Sequence, residues 1–147
     1  MSRTCCGIGL SIATGTLRST RATAAGIGDR VRFLGEIPWD EVVRHYQALD
    51  LFAAPARWEG FGLTPLEAGA FGRPTLALRA GGYLDTIAEG VNGAFFDEPT
   101  PAAIRAAVVA HRDHHWDAQA IMRHVERFSL DRFVARLRTE VEHLLRG

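Results

Sequence analysis

Short apolar runs alternate with segments of helical spacing along most of this chain, and that alternation restricts the fold more than any other feature. LFAAP (51–55), TLAL (75–78) and AFF (94–96) are too short for helices and too uniformly apolar for strands with one wet face. Such runs suit strands of a parallel sheet buried on both sides. VRFL (31–34), ending at Gly35, reads as a further short strand. Pro38, Asp40 and Glu41 open a helix with Val42, Tyr46 and Leu49 at helical spacing. A second helix is expected over 65–71, stopped by Gly72 and Pro74, and a short one over YLDTIAE (83–89) before Gly90. Asn92-Gly93 turns the chain into 94–96, and Thr100-Pro101 starts a helix that runs to about His111. Two more helices are expected at about 117–127 and 130–145, the last with Phe133, Leu137, Val141 and Leu144 on one face. The fold class that follows is α/β, a Rossmann-like parallel sheet with helices on both faces. Ligands of such sheets bind beyond the carboxyl ends of the strands, which draws attention to the residues just after 51–55.

Length and composition fit one domain with a real core: 147 residues, 47% hydrophobic. The formal net charge of +0 gives no electrostatic footprint for nucleic acid, and every basic residue other than histidine is arginine. The domain is expected to occupy 26–147. Residues 1–25, rich in Ser, Thr, Arg and Gly without a sustained period, are expected to form an irregular start. Gly7 and Gly9 give a G-x-G, but Ile12 leaves the dinucleotide fingerprint incomplete. Cys5 and Cys6 are adjacent, a poor geometry for a disulfide, and read as plain thiols of a reducing compartment. No run has the length of a membrane span, and a cytoplasmic location is the default expectation.

The chemistry concentrates in RWEGFGLTPLEAGAFGRP (57–74). Gly60 and Gly62 let the backbone bend and approach a ligand closely. Thr64 suits a helix N-cap, Pro65 the first helical position and Glu67 the third. Free amides and the partial positive charge of that helix start can hold an anion such as a diphosphate without any lysine. The same residues admit a purely structural reading. Thr64-x-x-Glu67 is a capping box, and Glu59 could be a solvated loop acid. His111 and His115 stand four apart, but no third metal ligand accompanies them, and a polar helix end is the simpler reading. Arg57 and Arg79 flank the proposed site and could meet phosphate, although each reads equally as a surface arginine.

EGFGLTPLEAGAFGRPTLA followed by AGGYLDTIAEGVNGAFFD closely resembles the donor-binding half of retaining GT-B glycosyltransferases of family 4, the glycosyl transferases group 1. Their hallmark, a Glu, seven residues and a second Glu, corresponds to Glu59 and Glu67. The resemblance extends over about 26–112 and continues through ERFSLDRF. It implies the C-terminal half of a GT-B fold, truncated, with no cofactor and no metal. It implies Glu59 as the catalytic residue facing the transferred sugar, and Glu67 as acceptor from the ribose hydroxyls. Gly60, Phe61, Gly62, Leu63 and Thr64 would hold the rest of the donor, largely through backbone amides. Asp85 stands where the family often has Glu, which leaves any side-chain role there open. The GGY wording is similar to some bacterial mannosyl-type transferases. The partners implied are a nucleotide-diphosphate sugar donor, a sugar or lipid-linked acceptor, and an N-terminal acceptor domain missing from these residues. In the full-length enzyme, a position at the inner face of the membrane would be compatible with that acceptor. A non-catalytic nucleotide-sugar-binding or regulatory module, or a plain structural domain using Glu67 only as a cap, are the alternatives from other classes.

Overall fold

The computed structural model describes residues 16–146. The expectations for Cys5, Cys6 and the Gly7-Gly9 pair lie outside these residues. The chain divides into two compact units, one up to His45 and one from Tyr46 onward.

In the first unit, helix α1 spans Thr16–Ala24, so this part of the expected irregular start is regular. The signal for it is local. Gly26 has φ +69°, its amide donates to the Thr23 carbonyl, and the Ile27 amide donates to the Ala22 carbonyl. Those two bonds are the glycine-terminated helix end that an Ala-Ala-Gly-Ile sequence can form without side-chain help. The strand expected at 31–34 is reduced to a single β-bridge position at Arg32; the neighbouring Phe33 is 41% exposed. The three-stranded sheet among the described residues is built from other segments. Helix α2, Trp39–Ala48, begins where Pro38, Asp40 and Glu41 predict, and its last turn from Tyr46 onward belongs to the second unit.

In the second unit, β1 (Phe52–Ala54), β2 (Thr75–Leu78) and β3 (Gly93–Phe96) form a parallel sheet in that order. The register aligns Phe52 with Thr75 and Leu76 with Ala94. Helix α3 (Leu63–Ala70) joins β1 to β2, and the single-turn α4 (Tyr83–Thr86) lies between β2 and β3. Every residue of β2 is buried, as a central strand covered on both faces must be. Side chains alternate between the two faces. Leu76, Leu78, Ala94 and Phe96 pack with Ala103, Ile104, Ala107 and Val108 of α5 (Pro101–His111). Ala54, Ala77 and Phe95 face the other way, toward Tyr83 and Ile87. Fully burying large side chains such as Leu76 and Phe96 contributes about 1.5–3 kcal/mol each.

The helix starts after β3 follow their sequence signals. The Thr100 hydroxyl accepts from the Ala103 amide at the head of α5, with Pro101 inside the first turn. Asp117 accepts from the amides of Gln119 and Ala120 at the head of α6 (Ala118–Val125). Helix α6 packs on α3 at Gly69, where a Cβ would run into Val125. Helix α7 (Leu130–Arg146) has no buried residue; Phe133, Leu137, Val141 and Leu144 are 61%, 51%, 46% and 77% exposed. The apolar face expected from spacing is therefore present and open.

The turn between β2 and α4 is packed against the loop after β1 through backbone alone. The Gly82 amide donates to the Glu59 carbonyl at 2.9 Å, and a Cβ on Gly82 would strike the Phe61 backbone. Gly82 itself has φ −62°, so its requirement is for space and not for unusual dihedrals. The turn is tied down behind this contact. The Thr86 hydroxyl donates to the Gly82 carbonyl, and buried Asn92 donates to the Thr86 carbonyl while accepting from the Ala88 amide.

Two outcomes follow from this packing. Gly82→Ala should lower stability by about 2–3 kcal/mol in urea unfolding, because a rigid backbone cannot yield to the added methyl. Gly60→Ala, where nothing lies within 4 Å of the added Cβ, should stay within about 0.5 kcal/mol of the parent. The purified polypeptide should also self-associate through α7 with rising concentration, and Leu137→Glu with Leu144→Glu should suppress this in sedimentation velocity.

Candidate functional site

The loop from Pro55 to Gly62 leaves the carboxyl end of β1 and feeds the first turn of α3. Gly62 is buried and takes a left-handed conformation, φ 93° and ψ 51°, as the residue capping α3. A side chain there would meet the Thr86 hydroxyl and the Tyr83 ring as well as the unfavourable backbone angle. The cap thus falls two residues before the expected Thr64. Leu63 is its first residue, Pro65 its third and Glu67 its fifth. Pro65 fits because the amides of the first turn have no intrahelical acceptor, so a missing N–H there removes no bond.

Glu59 turns back over this loop. Its Oε1 accepts from the Gly62 amide at 2.9 Å and from the Phe61 amide at 3.2 Å. Two of the amides expected to be free for a ligand are therefore held by the chain's own carboxylate. A negative charge beside the positive end of α3 is favourable, and hydrogen bonds to a charged acceptor are stronger than neutral ones.

Glu67 does not close a capping box. Its Oε2 accepts from the Tyr46 hydroxyl of α2 at 2.7 Å. The fifth helical position puts its side chain a full turn beyond the amides that a box would use, and it reaches across to a neighbouring element. Tyr46 is buried and stacks on Phe71 at 6.0 Å. Burial first, and the bond to Glu67 second, push its phenol well above the usual tyrosine range, so it remains a donor at neutral pH. Tyr83 is buried on the other side of Gly62, and burial, then the nearby Glu59 charge, raise its phenol as well.

A groove of about 310 Å³ brings Leu63 and Glu67 together with Leu66, Ala70, Val125, Glu126, Phe128 and Ser129. Glu59, Gly60, Phe61, Gly62 and Thr64 do not line it. They sit on the loop, which touches the groove rim where Phe61 meets Phe128 edge-on at 6.0 Å. Gly60, Phe61, Leu63 and Thr64 are exposed, while Glu59 and Glu67 are half-buried. Trp58, next to Glu59, is 95% exposed.

The remaining sequence candidates are engaged elsewhere or stand in solvent. Arg79 donates to Asp97 at 2.8 Å and to Glu89 at 3.0 Å and lies over the Phe95 ring. Those bonds hold its guanidinium charged and raise it further. Arg57 is exposed. His111 bonds the Ala107 carbonyl and, with His114, packs against Trp116. Among the described residues no group of three or more His, Cys, Asp or Glu could hold a metal. Sequence reading missed Tyr46 as the partner of Glu67, Tyr83 as the wall behind Gly62, and Gly82 as the floor under Phe61. The glycine pair at 81–82 was visible as a turn; its contact with a loop some twenty residues earlier was not.

Residues 15–110 match the family described as glycosyl transferases group 1. The match begins at 15, upstream of the residue near 26 where patterning alone starts the resemblance. Among relatives, the lipopolysaccharide core biosynthesis mannosyltransferase LpsB of Rhizobium meliloti (strain 1021) is 49% identical over 70 residues, 48% of this chain and 19% of that protein. Sucrose-phosphate synthase from Thermosynechococcus elongatus has the same fold, with a TM-score of 0.75 at 20% identity over 93% of this chain and 38% of that one. Anabaena Alr3699/HepE, solved in complex with UDP-glucose, gives a TM-score of 0.64 at 25% identity over 88% and 35%. The chain spans about a fifth of the length of that relative and just over a third of each solved chain. With the E-x7-E pair bracketing the loop and first helical turn after β1 of a parallel sheet, the chain belongs to the glycosyl transferases group 1 and corresponds to the C-terminal, donor-binding domain of a GT-B-fold enzyme.

Proposed function

We propose that this chain is the donor-binding portion of a retaining glycosyltransferase that moves a hexose from a nucleotide-diphosphate sugar to a sugar or lipid-linked acceptor. The observation that carries the reading is the placement of Glu59 and Glu67 on either side of the left-handed Gly62 turn that opens α3, Glu59 over the loop amides and Glu67 on the helix beside the groove. In this reading the Glu67 carboxylate, held at one oxygen by Tyr46, receives the ribose hydroxyls at the other. Leu63 and Thr64 supply first-turn amides for phosphate oxygens, and the partial positive charge of the helix start adds to them. Gly60 leaves open space where a donor could approach the backbone. Donors aimed at a departing diphosphate stabilise the charge that develops as the sugar–phosphate bond breaks. Glu59 is the carboxylate assigned to the transferred sugar.

Mannose is the first sugar to test, since the LpsB relative is a mannosyltransferase. The HepE complex contains UDP-glucose, so the base and the sugar are open to trial in parallel. Catalysis needs an acceptor site and closure around both substrates, and the polypeptide alone is proposed to bind donor without transferring it. A non-catalytic nucleotide-sugar-binding module would bind the donor too. It would stay silent after an acceptor domain was supplied.

Calorimetry with GDP-mannose and UDP-glucose tests the reading. At least one should bind, and Glu67→Ala should weaken it by about tenfold to a hundredfold through loss of hydrogen bonds to a charged acceptor. Tyr46→Phe, which frees Glu67 to rotate, should weaken it by a few-fold and lower the melting temperature slightly. Absence of binding by the parent, or a Glu67→Ala variant that binds equally well, would remove the proposal.

A further inference from the structure

We propose that Glu59 is a displaceable occupant of its own donor site, releasing the Phe61 and Gly62 amides when a nucleotide-diphosphate sugar arrives and reclaiming them when only the nucleoside diphosphate is left. This rests on the donor-site reading above.

One oxygen, Oε1 of Glu59, holds both amides. A phosphate or sugar oxygen cannot use those hydrogens while the carboxylate does. The backbone cannot resolve the conflict by shifting. The Glu59 carbonyl is bonded by the Gly82 amide, Phe61 lies against Gly82 without room for a methyl group, and Gly62 is buried against Tyr83 and Thr86. The part free to move is the Glu59 side chain, which is only half-buried and has open space beside it at Gly60. Donor entry therefore rotates a carboxylate and leaves the loop in place.

The two ligands then differ in what they return for that displacement. A nucleotide sugar offers the ejected carboxylate hydroxyl groups to accept from. A nucleoside diphosphate has only its ribose hydroxyls, which this reading gives to Glu67, so the Glu59 carboxylate competes for its amides at full strength and adds like-charge repulsion toward the phosphates. Loss of the sugar in the reaction converts a ligand that retains Glu59 in the open position into one that Glu59 expels. The contact is a product-release device as well as a loop clamp.

The test is calorimetry of the whole chain and its Glu59→Ala and Glu59→Gln variants with UDP and GDP, each beside UDP-glucose and GDP-mannose. The parent should prefer the nucleotide sugar over its diphosphate. Glu59→Ala should bind the diphosphate about fivefold to tenfold tighter than the parent and lose most of that preference. Glu59→Gln keeps a carbonyl oxygen for the two amides without the charge, and should fall between the two. Hydrogen exchange at the Phe61 and Gly62 amides should quicken in Glu59→Ala and slow again when diphosphate is added. Parent binding with no tightening in either variant overturns the displacement and leaves the donor site standing; if Glu59→Ala proves unfolded, Glu59→Gln decides alone. Should neither parent nor variants bind any of the four compounds, the donor reading falls and this inference with it.

Discussion

The backbone contact between the Glu59–Phe61 loop and the Gly81-Gly82 turn is the constraint on which the site depends. It joins the carboxyl ends of β1 and β2, two strands that already share a ladder, and it does so where the glycine turn has no side chain to interpose. Main-chain groups have far less freedom than side chains, so the loop inherits the rigidity of the sheet. The left-handed Gly62 and the start of α3 follow from that rigidity, since the chain must turn sharply from the docked loop into a helix packed on the same sheet.

A chain without lysine has to treat anions in another way, and the structure distributes that task between backbone and arginine. Arg79, close to the site in sequence terms, is bound by Asp97 and Glu89 and serves the end of β2. Polar capacity at the loop comes from amides. Such donors are fixed in direction and carry no long side chain to order on binding, which suits a ligand with several oxygens at fixed spacing. The same property makes them attractive to the nearest carboxylate, and Glu59 is that carboxylate. Glu67 takes the Tyr46 hydroxyl instead.

Much of the fold was legible because burial imposes composition. TLAL reads as a central strand since a strand covered on both faces is mostly apolar, and the Thr100-Pro101 and Asp117 starts announce themselves through side-chain chemistry that works within one turn. The failures have physical causes of the same kind. VRFL has strand composition but shows a bridge only at Arg32 and is not one of the three strands of the sheet among the described residues, since the length of a ladder is not a property of a segment. Thr64 has every attribute of a cap, yet Gly62 wins because the preceding loop is already docked and must turn there. The α1 helix was overlooked although its glycine-terminated end is encoded in four consecutive residues.

By itself, the sequence determined the parallel α/β architecture, the position of the bend beyond β1, the two acids around it, and the apolar stripe of α7. These are consequences of local periodicity, of glycine's conformational range and of residue type. Only the tertiary structure decided which partner each acid takes: Glu59 its own loop amides, Glu67 a tyrosine from α2. Hydrogen-bond partners are chosen by which atoms the packing brings within about 3 Å, and that distance is set by the sheet and its crossovers. No stretch of chain carries it alone.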